Sequence, residues 1–205
     1  MKKAIILILC TCFISLIPGY MGPVEKDESP ETALLLIDIQ NFYFPGGRLP
    51  LVNPEGASLN ARKLLNHFRE KNLLVIHVRH ISQSGSDIHK NVEPLKTEKV
   101  ISKNHVNSFK DTDLLTYLKK HEVKNLMICG MMTHMCVEAA TRAAHDHGFE
   151  CILVHDACAT RPLKFKDKEI AAEAVHYSTL ASLSGYYAKV VDTKTFLEEF
   201  VSDSP

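Results

Sequence analysis

The stretch that most constrains this chain is the run from Asn125 to Gly148. Asn125-Leu126-Met127-Ile128-Cys129 is a short apolar run and reads as a buried strand. Gly130-Met131-Met132-Thr133-His134-Met135-Cys136-Val137 follows, and then an Ala-rich segment that reads as a helix stopped by Gly148. Cys136 thus falls where a strand hands over to a helix. A thiol at a helix N-terminus faces the positive end of the macrodipole and unpaired N–H groups. Both favour the thiolate, the form that attacks carbonyl carbon. From local context alone, a buried structural cysteine is an equally open reading.

The rest of the chain repeats the same alternation. Ala33 to Ile37 is an unbroken apolar run, the pattern of a central parallel strand covered on both faces, and it ends at Asp38. Asn53-Pro54 caps a helix whose buried stripe is Ala61, Leu64, Leu65 and Phe68. Leu73 to Val78 and Val100 to Ser102 are further strands, the second followed by Lys103. Residues 81–97 are polar and irregular and read as a loop near a ligand. A helix is expected over Asp111 to His121, with Leu114, Leu115 and Leu118 inward. A strand is expected over Cys151 to His155, ending at Asp156, and a helix over Asp167 to Ser184. The last strand runs from Ala188 to Val191 and a short helix from Thr195 to Phe200. Such alternation predicts one α/β domain, a three-layer α/β/α Rossmann-like fold with a central parallel sheet. In open sheets of this kind ligands sit at the carboxyl ends of strands, where the strand order switches. Asp38, Lys103 and Cys136 all fall at predicted strand ends.

Composition narrows the function classes. With 24 Lys+Arg against 24 Asp+Glu, the chain has no field that would draw nucleic acid or an anionic membrane surface. Met1-Lys2-Lys3 followed by the apolar run Ala4 to Ile17 and Pro18-Gly19 matches a signal peptide. The run is short for a membrane span, which leaves an uncleaved anchor as the alternative. Residues 1–22 are therefore read as a signal peptide, 23–31 as a linker and 32–200 as the folded domain. Export to the periplasm or outside the cell follows from that reading. Removing the leader leaves Cys129, Cys136, Cys151 and Cys158, which form no zinc-ligand pattern. Cys129 and Cys151 lie in apolar strand-like runs and read as core. Export would expose a reactive Cys136 to oxidation, a tension the sequence leaves standing.

The segments Leu36-Ile37-Asp38-Ile39-Gln40-Asn41, Ser102-Lys103 and Gly130 to Val137 resemble the isochorismatase-like cysteine hydrolases, a superfamily that includes nicotinamidases, carbamoylsarcosine amidases and streptothricin hydrolase. The resemblance spans about residues 32 to 197, and Asp156-Ala157 also matches it. It implies a catalytic triad of Asp38, Lys103 and Cys136 that cleaves a C–N bond through a thioester. Asp38 would be the base and Lys103 would hold it ionised and favour the thiolate. It further implies a cis Met131–Met132 bond and an oxyanion hole from the Met132 and Cys136 N–H groups, with Thr133 supporting the loop. No cofactor is implied. A small-molecule substrate and a dimer or tetramer are.

Departures from the family pattern bear on substrate. Retention of Cys136 favours C–N hydrolysis over cleavage of an enol ether. Nicotinamidases carry a metal site beginning Asp-x-His, and here His77, His80 and His89 lie in the corresponding interval. Asp87-Ile88-His89 has the letters without the usual flanks and is read as loop, so no metal is assigned. Gln40, Phe42, Tyr43, Phe44 and His134 are the candidate pocket residues. For His134, a helix-start filler is the other reading; for the aromatics, core packing is. His176 and Tyr177 are read as packing residues. The remaining rivals are an enol-ether hydrolase and a non-catalytic binding protein on the same fold.

Overall fold

The computed structural model describes residues 31–82 and 84–202. The leader, most of the linker and the choice between signal peptide and anchor lie outside the described residues. Six parallel strands form the central sheet: β1 (Thr32–Ile37), β2 (Leu74–His80), β3 (Lys99–Lys103), β4 (Asn125–Met131), β5 (Glu150–Ala159) and β8 (Lys189–Val191). Their order is β3-β2-β1-β4-β5-β8. The chain builds outward from β1 in one direction, then returns to its other side at β4. Right-handed crossovers then place the connecting helices on opposite faces. Helix α1 (Pro54–Glu70) packs with α5 (Thr193–Ser202), and α3 (Glu138–Asp146) packs with α4 (Ala172–Leu183). The remaining helix, α2 (Leu114–Lys120), joins β3 to β4. This is the three-layer α/β/α fold expected from the alternation.

Why the elements form is plain in their residues. Asn53 adopts a left-handed backbone and its side chain accepts from the Gly56 N–H, capping α1 with Pro54 in its first turn. The predicted stripe Ala61, Leu64, Leu65 and Phe68 is wholly buried. So is nearly all of β1, as a strand covered on both faces must be.

Three features depart from the sequence-based expectation. Lys103 is the last residue of β3 rather than the residue after it. The expected helix from Asp167 begins only at Ala172; before it, β6 (Leu163–Phe165) and β7 (Lys168–Ile170) make a hairpin outside the main sheet. The run of charged residues there has good helix propensity, yet the left-handed backbone at Lys166 turns the chain back on itself. Asp156 does not end a strand but sits within a bulge of β5, where the register jumps between Ile128 and Gly130 of β4. The bulge turns Asp156 outward, and its carboxylate accepts from Asn60 of α1 and from the N–H and hydroxyl of Thr193 at the start of α5.

The switch between β1 and β4 depends on one glycine. Gly130 pairs with Ile37, has φ +134°, and a Cβ there would lie 2.0 Å from the Ile37 carbonyl oxygen. Only a residue without a side chain allows the two strand ends to approach this closely. Gly130→Ala is expected to lower unfolding stability by more than about 3 kcal/mol; urea denaturation checks this, and a variant as stable as the parent would show that the strand ends can part freely.

Candidate active site

Asp38 follows β1 and Lys103 ends β3, two strands separated by β2, while Cys136 follows β4 on the other side of β1. Asp38 ends β1 with a left-handed backbone (φ +51°), a conformation that Asp tolerates better than most residues. Its N–H still bonds the Val78 carbonyl, so the turn leaves the sheet without losing the ladder. Lys103 ends β3. Cys136 lies in a five-residue π turn, Thr133–Val137, between β4 and α3. Wide turns of this type are common at functional sites. The Met131–Met132 peptide bond before the turn is cis.

All three side chains are buried: Asp38 at 0 %, Lys103 at 1 % and Cys136 at 5 % exposure. The Lys103 ammonium is the hub. Its Nζ lies 2.7 Å from Asp38 Oδ2, 3.0 Å from the His105 carbonyl oxygen and 3.3 Å from Cys136 Sγ. An ammonium has three hydrogens, and the carbonyl oxygen and the sulfur accept two of them. His80 Nδ1 lies a little further off at 3.5 Å. The contact with Asp38 is an ion pair rather than an aligned hydrogen bond. Among the described residues neither carboxylate oxygen has a hydrogen-bond donor of regular geometry, which leaves both able to accept a proton.

Electrostatics here run against the thiolate expected from sequence. Burial pushes the Cys136 thiol up to about 12, and the Asp38 carboxylate adds to the rise; the pull of Lys103 is smaller. Burial likewise raises Asp38 above the ordinary carboxylate range, against the opposing charge of Lys103. The free site therefore favours a protonated thiol beside a carboxylate whose basicity is enhanced.

The other candidate residues divide. Tyr43 is buried, and its phenol is raised by burial and by the nearby Cys136 and Asp38, which places it beside the reacting groups. Phe42 is buried between Tyr43 and the Arg48 guanidinium, 4.7 Å over its ring. His134 is half-buried and bonds Thr160. Gln40 and Phe44 have other tasks. Both Gln40 N–H bonds go to backbone carbonyls, His80 at 3.0 Å and Ser86 at 2.6 Å, and its oxygen accepts from the His80 N–H. Gln40 therefore fixes the end of β2 beside Lys103. Phe44 stacks flat on His89 at 3.6 Å.

The three interval histidines go to three different places. His77 pairs with Glu98, which also holds Arg69. His80 faces Lys103 and His89 faces Phe44. Among the described residues no three His, Cys, Asp or Glu groups converge as a metal cage would require. Cys129, Cys151 and Cys158 are buried and free. One residue read as packing touches the site: His176 Nδ1 is 2.9 Å from the Thr133 hydroxyl. No local pattern around His176 could have signalled this, since the two residues lie 43 apart.

A model of the isochorismatase domain matches residues 32–194. The chain belongs to the isochorismatase family. Among its relatives in that family, it is 49 % identical over 178 residues to the uncharacterized isochorismatase family protein YddQ of Bacillus subtilis, covering 82 % of this chain and 99 % of the other. It is 31 % identical over 148 residues to a streptothricin hydrolase of Streptomyces noursei, covering 68 % and 58 %. The crystal structure of an isochorismatase from Pseudomonas putida superimposes with a TM-score of 0.77 at 35 % identity, covering 82 % of this chain and 90 % of that one. The protein is thus an isochorismatase-family hydrolase.

The buried ion pair gives this isochorismatase-family site a measurable signature. Asp38→Asn and Lys103→Met each leave one charge or dipole uncompensated in a dry pocket, and each is expected to cost about 3–5 kcal/mol. The double variant should cost clearly less than the sum of the two. Chemical denaturation of the four proteins checks this; additive losses would mean that the two groups do not depend on each other.

Proposed function

We propose that this chain is a cysteine hydrolase that cleaves a C–N bond of a small amide, carbamoyl compound or lactam through a thioester. The observation that carries the reading is the contact of one buried ammonium with both the Asp38 carboxylate and the Cys136 sulfur. Similarity to a streptothricin hydrolase adds support for a hydrolytic reaction.

The chemistry follows from the pKa order. A thiol held near 12 needs a base at neutral pH, and a carboxylate raised by burial is a better one than an exposed Asp. Asp38 takes the thiol proton as the sulfur attacks the carbonyl carbon. Lys103 stabilises the sulfur as it becomes charged. The C–S bond forms and the carbonyl oxygen becomes an oxyanion, met by the Met132 and Cys136 N–H groups. Collapse breaks the C–N bond, and the proton on Asp38 passes to the departing nitrogen. Water, deprotonated by Asp38, then attacks the thioester, releases the acid and restores the thiol. Because Asp38 must be ionised to begin, the acid limb of activity should lie above the ordinary carboxylate range.

Release of ammonia or amine should be measured over nicotinamide, ureido acids, biuret, carbamoyl amino acids and lactams, with isochorismate alongside. Turnover of a C–N substrate is expected to fall by at least about 10³-fold in Cys136→Ala. Isochorismate turnover that survives in Cys136→Ala would instead favour enol-ether hydrolysis without a thiol nucleophile. We further infer export from the basic and apolar leader; intact mass of the protein recovered outside the cytoplasm should show a new N-terminus between residues 17 and 31, and a full-length mass would mean retention as an anchor.

A further inference from the structure

We propose that His176 is a positioning residue for the catalytic loop, and that its imidazole holds Thr133 so that the turn carrying Cys136 presents its N–H groups to the reacting carbonyl oxygen. This rests on the cysteine-hydrolase reading above and assigns the support of its oxyanion site to a residue on a separate element.

The turn is held from two sides. Its own backbone closes one side, where the Met132 carbonyl accepts from the Met135 N–H at 3.0 Å and from the Val137 N–H at 3.3 Å. The other side is the Thr133 side chain, which is fully buried. Its hydroxyl lies 2.9 Å from His176 Nδ1 on α4, an element packed directly against the turn. A buried hydroxyl without a partner is costly, so the imidazole fixes the rotamer of Thr133 and with it the backbone between Met132 and Cys136. Burial and the neighbouring His155 hold the imidazole below its ordinary pKa, so the ring is neutral at pH 7 and meets the hydroxyl as an uncharged partner. His176 also lines an open cavity of about 700 Å³ between α1, β5 and α4, with His155, Cys158 and Tyr177. The ring therefore bridges the catalytic turn and a solvent-facing cleft. A residue there for packing alone would need neither the nitrogen nor the alignment with Thr133.

Two reactions of the same sulfur separate this role from general support of the fold. Acylation of Cys136 by p-nitrophenyl acetate passes through an oxyanion, whereas alkylation by iodoacetamide displaces iodide from a saturated carbon and forms none. His176→Leu is expected to slow acylation by roughly 10–100-fold, in line with a small displacement of the donors. Alkylation should stay within about twofold, because it makes no use of those donors. His176→Asn, whose amide can reach the position of Nδ1, should restore most of the acylation rate. Thr133→Val should match His176→Leu, and the double variant should be no slower than either single one. The proposal is overturned if acylation in His176→Leu equals the parent rate, if both reactions fall together, if His176→Asn acylates no faster than His176→Leu, or if the parent is alkylated at Cys136 without being acylated. A parent protein inert at Cys136 to both reagents would instead remove the cysteine-hydrolase reading itself. Should His176→Leu not fold, the Thr133→Val and His176→Asn comparisons decide the question by the same criteria.

Discussion

Everything at the carboxyl end of the sheet depends on one buried ion pair, Asp38 with Lys103. Moving two charges out of water is costly, and their mutual attraction offsets the cost only when the geometry is held. The register sets the end of β1 at Ile37 level with Ile101 of β3, across β2, and β3 runs two residues further to Lys103, whose ammonium meets Asp38. Beyond that pair, Lys103 donates to the His105 carbonyl and to the Cys136 sulfur. A hydrophobic pair of similar volume would serve packing at least as well. Retaining the charges makes sense for a reaction in which a proton leaves sulfur and must be accepted nearby.

The same burial that makes the pair costly sets its chemistry. Cys136 is not a standing thiolate; desolvation and the carboxylate hold it protonated. Asp38 is correspondingly easier to protonate than an exposed carboxylate. In the proposed reaction, proton transfer is therefore coupled to attack rather than completed in advance. Protonated and nearly excluded from solvent, the thiol offers less thiolate to oxidants than an exposed helix-terminal cysteine would.

Around this centre, residues act at one remove. Gln40 spends both its N–H bonds on backbone carbonyls and so fixes the end of β2, where His80 faces Lys103. Gly130 lets β1 and β4 converge. Asp156 ties α1 and α5 to the β5 bulge. Each of these sits in a motif that draws attention to its neighbours, and each works by shaping backbone rather than by touching a substrate.

The sequence by itself determined the layer order, the three strand-end residues and the burial of the α1 stripe. These depend on local periodicity and on a dense motif, and neither needs distant partners to be known. It misjudged Asp167 to Ala171, read as the start of a helix, because the left-handed residue at Lys166 turns the chain into a hairpin there. Gln40 and Phe44, which it assigned to a pocket, are held by the backbone of the neighbouring strand end and by the ring of His89. Only the tertiary structure decided the state of the thiol, because desolvation is a property of everything packed around a group and not of its neighbours in the chain. The link from His176 to Thr133 was decided there as well. It crosses from α4 to the turn that carries Cys136, and a contact between such elements exists only once the sheet has set where each helix lies.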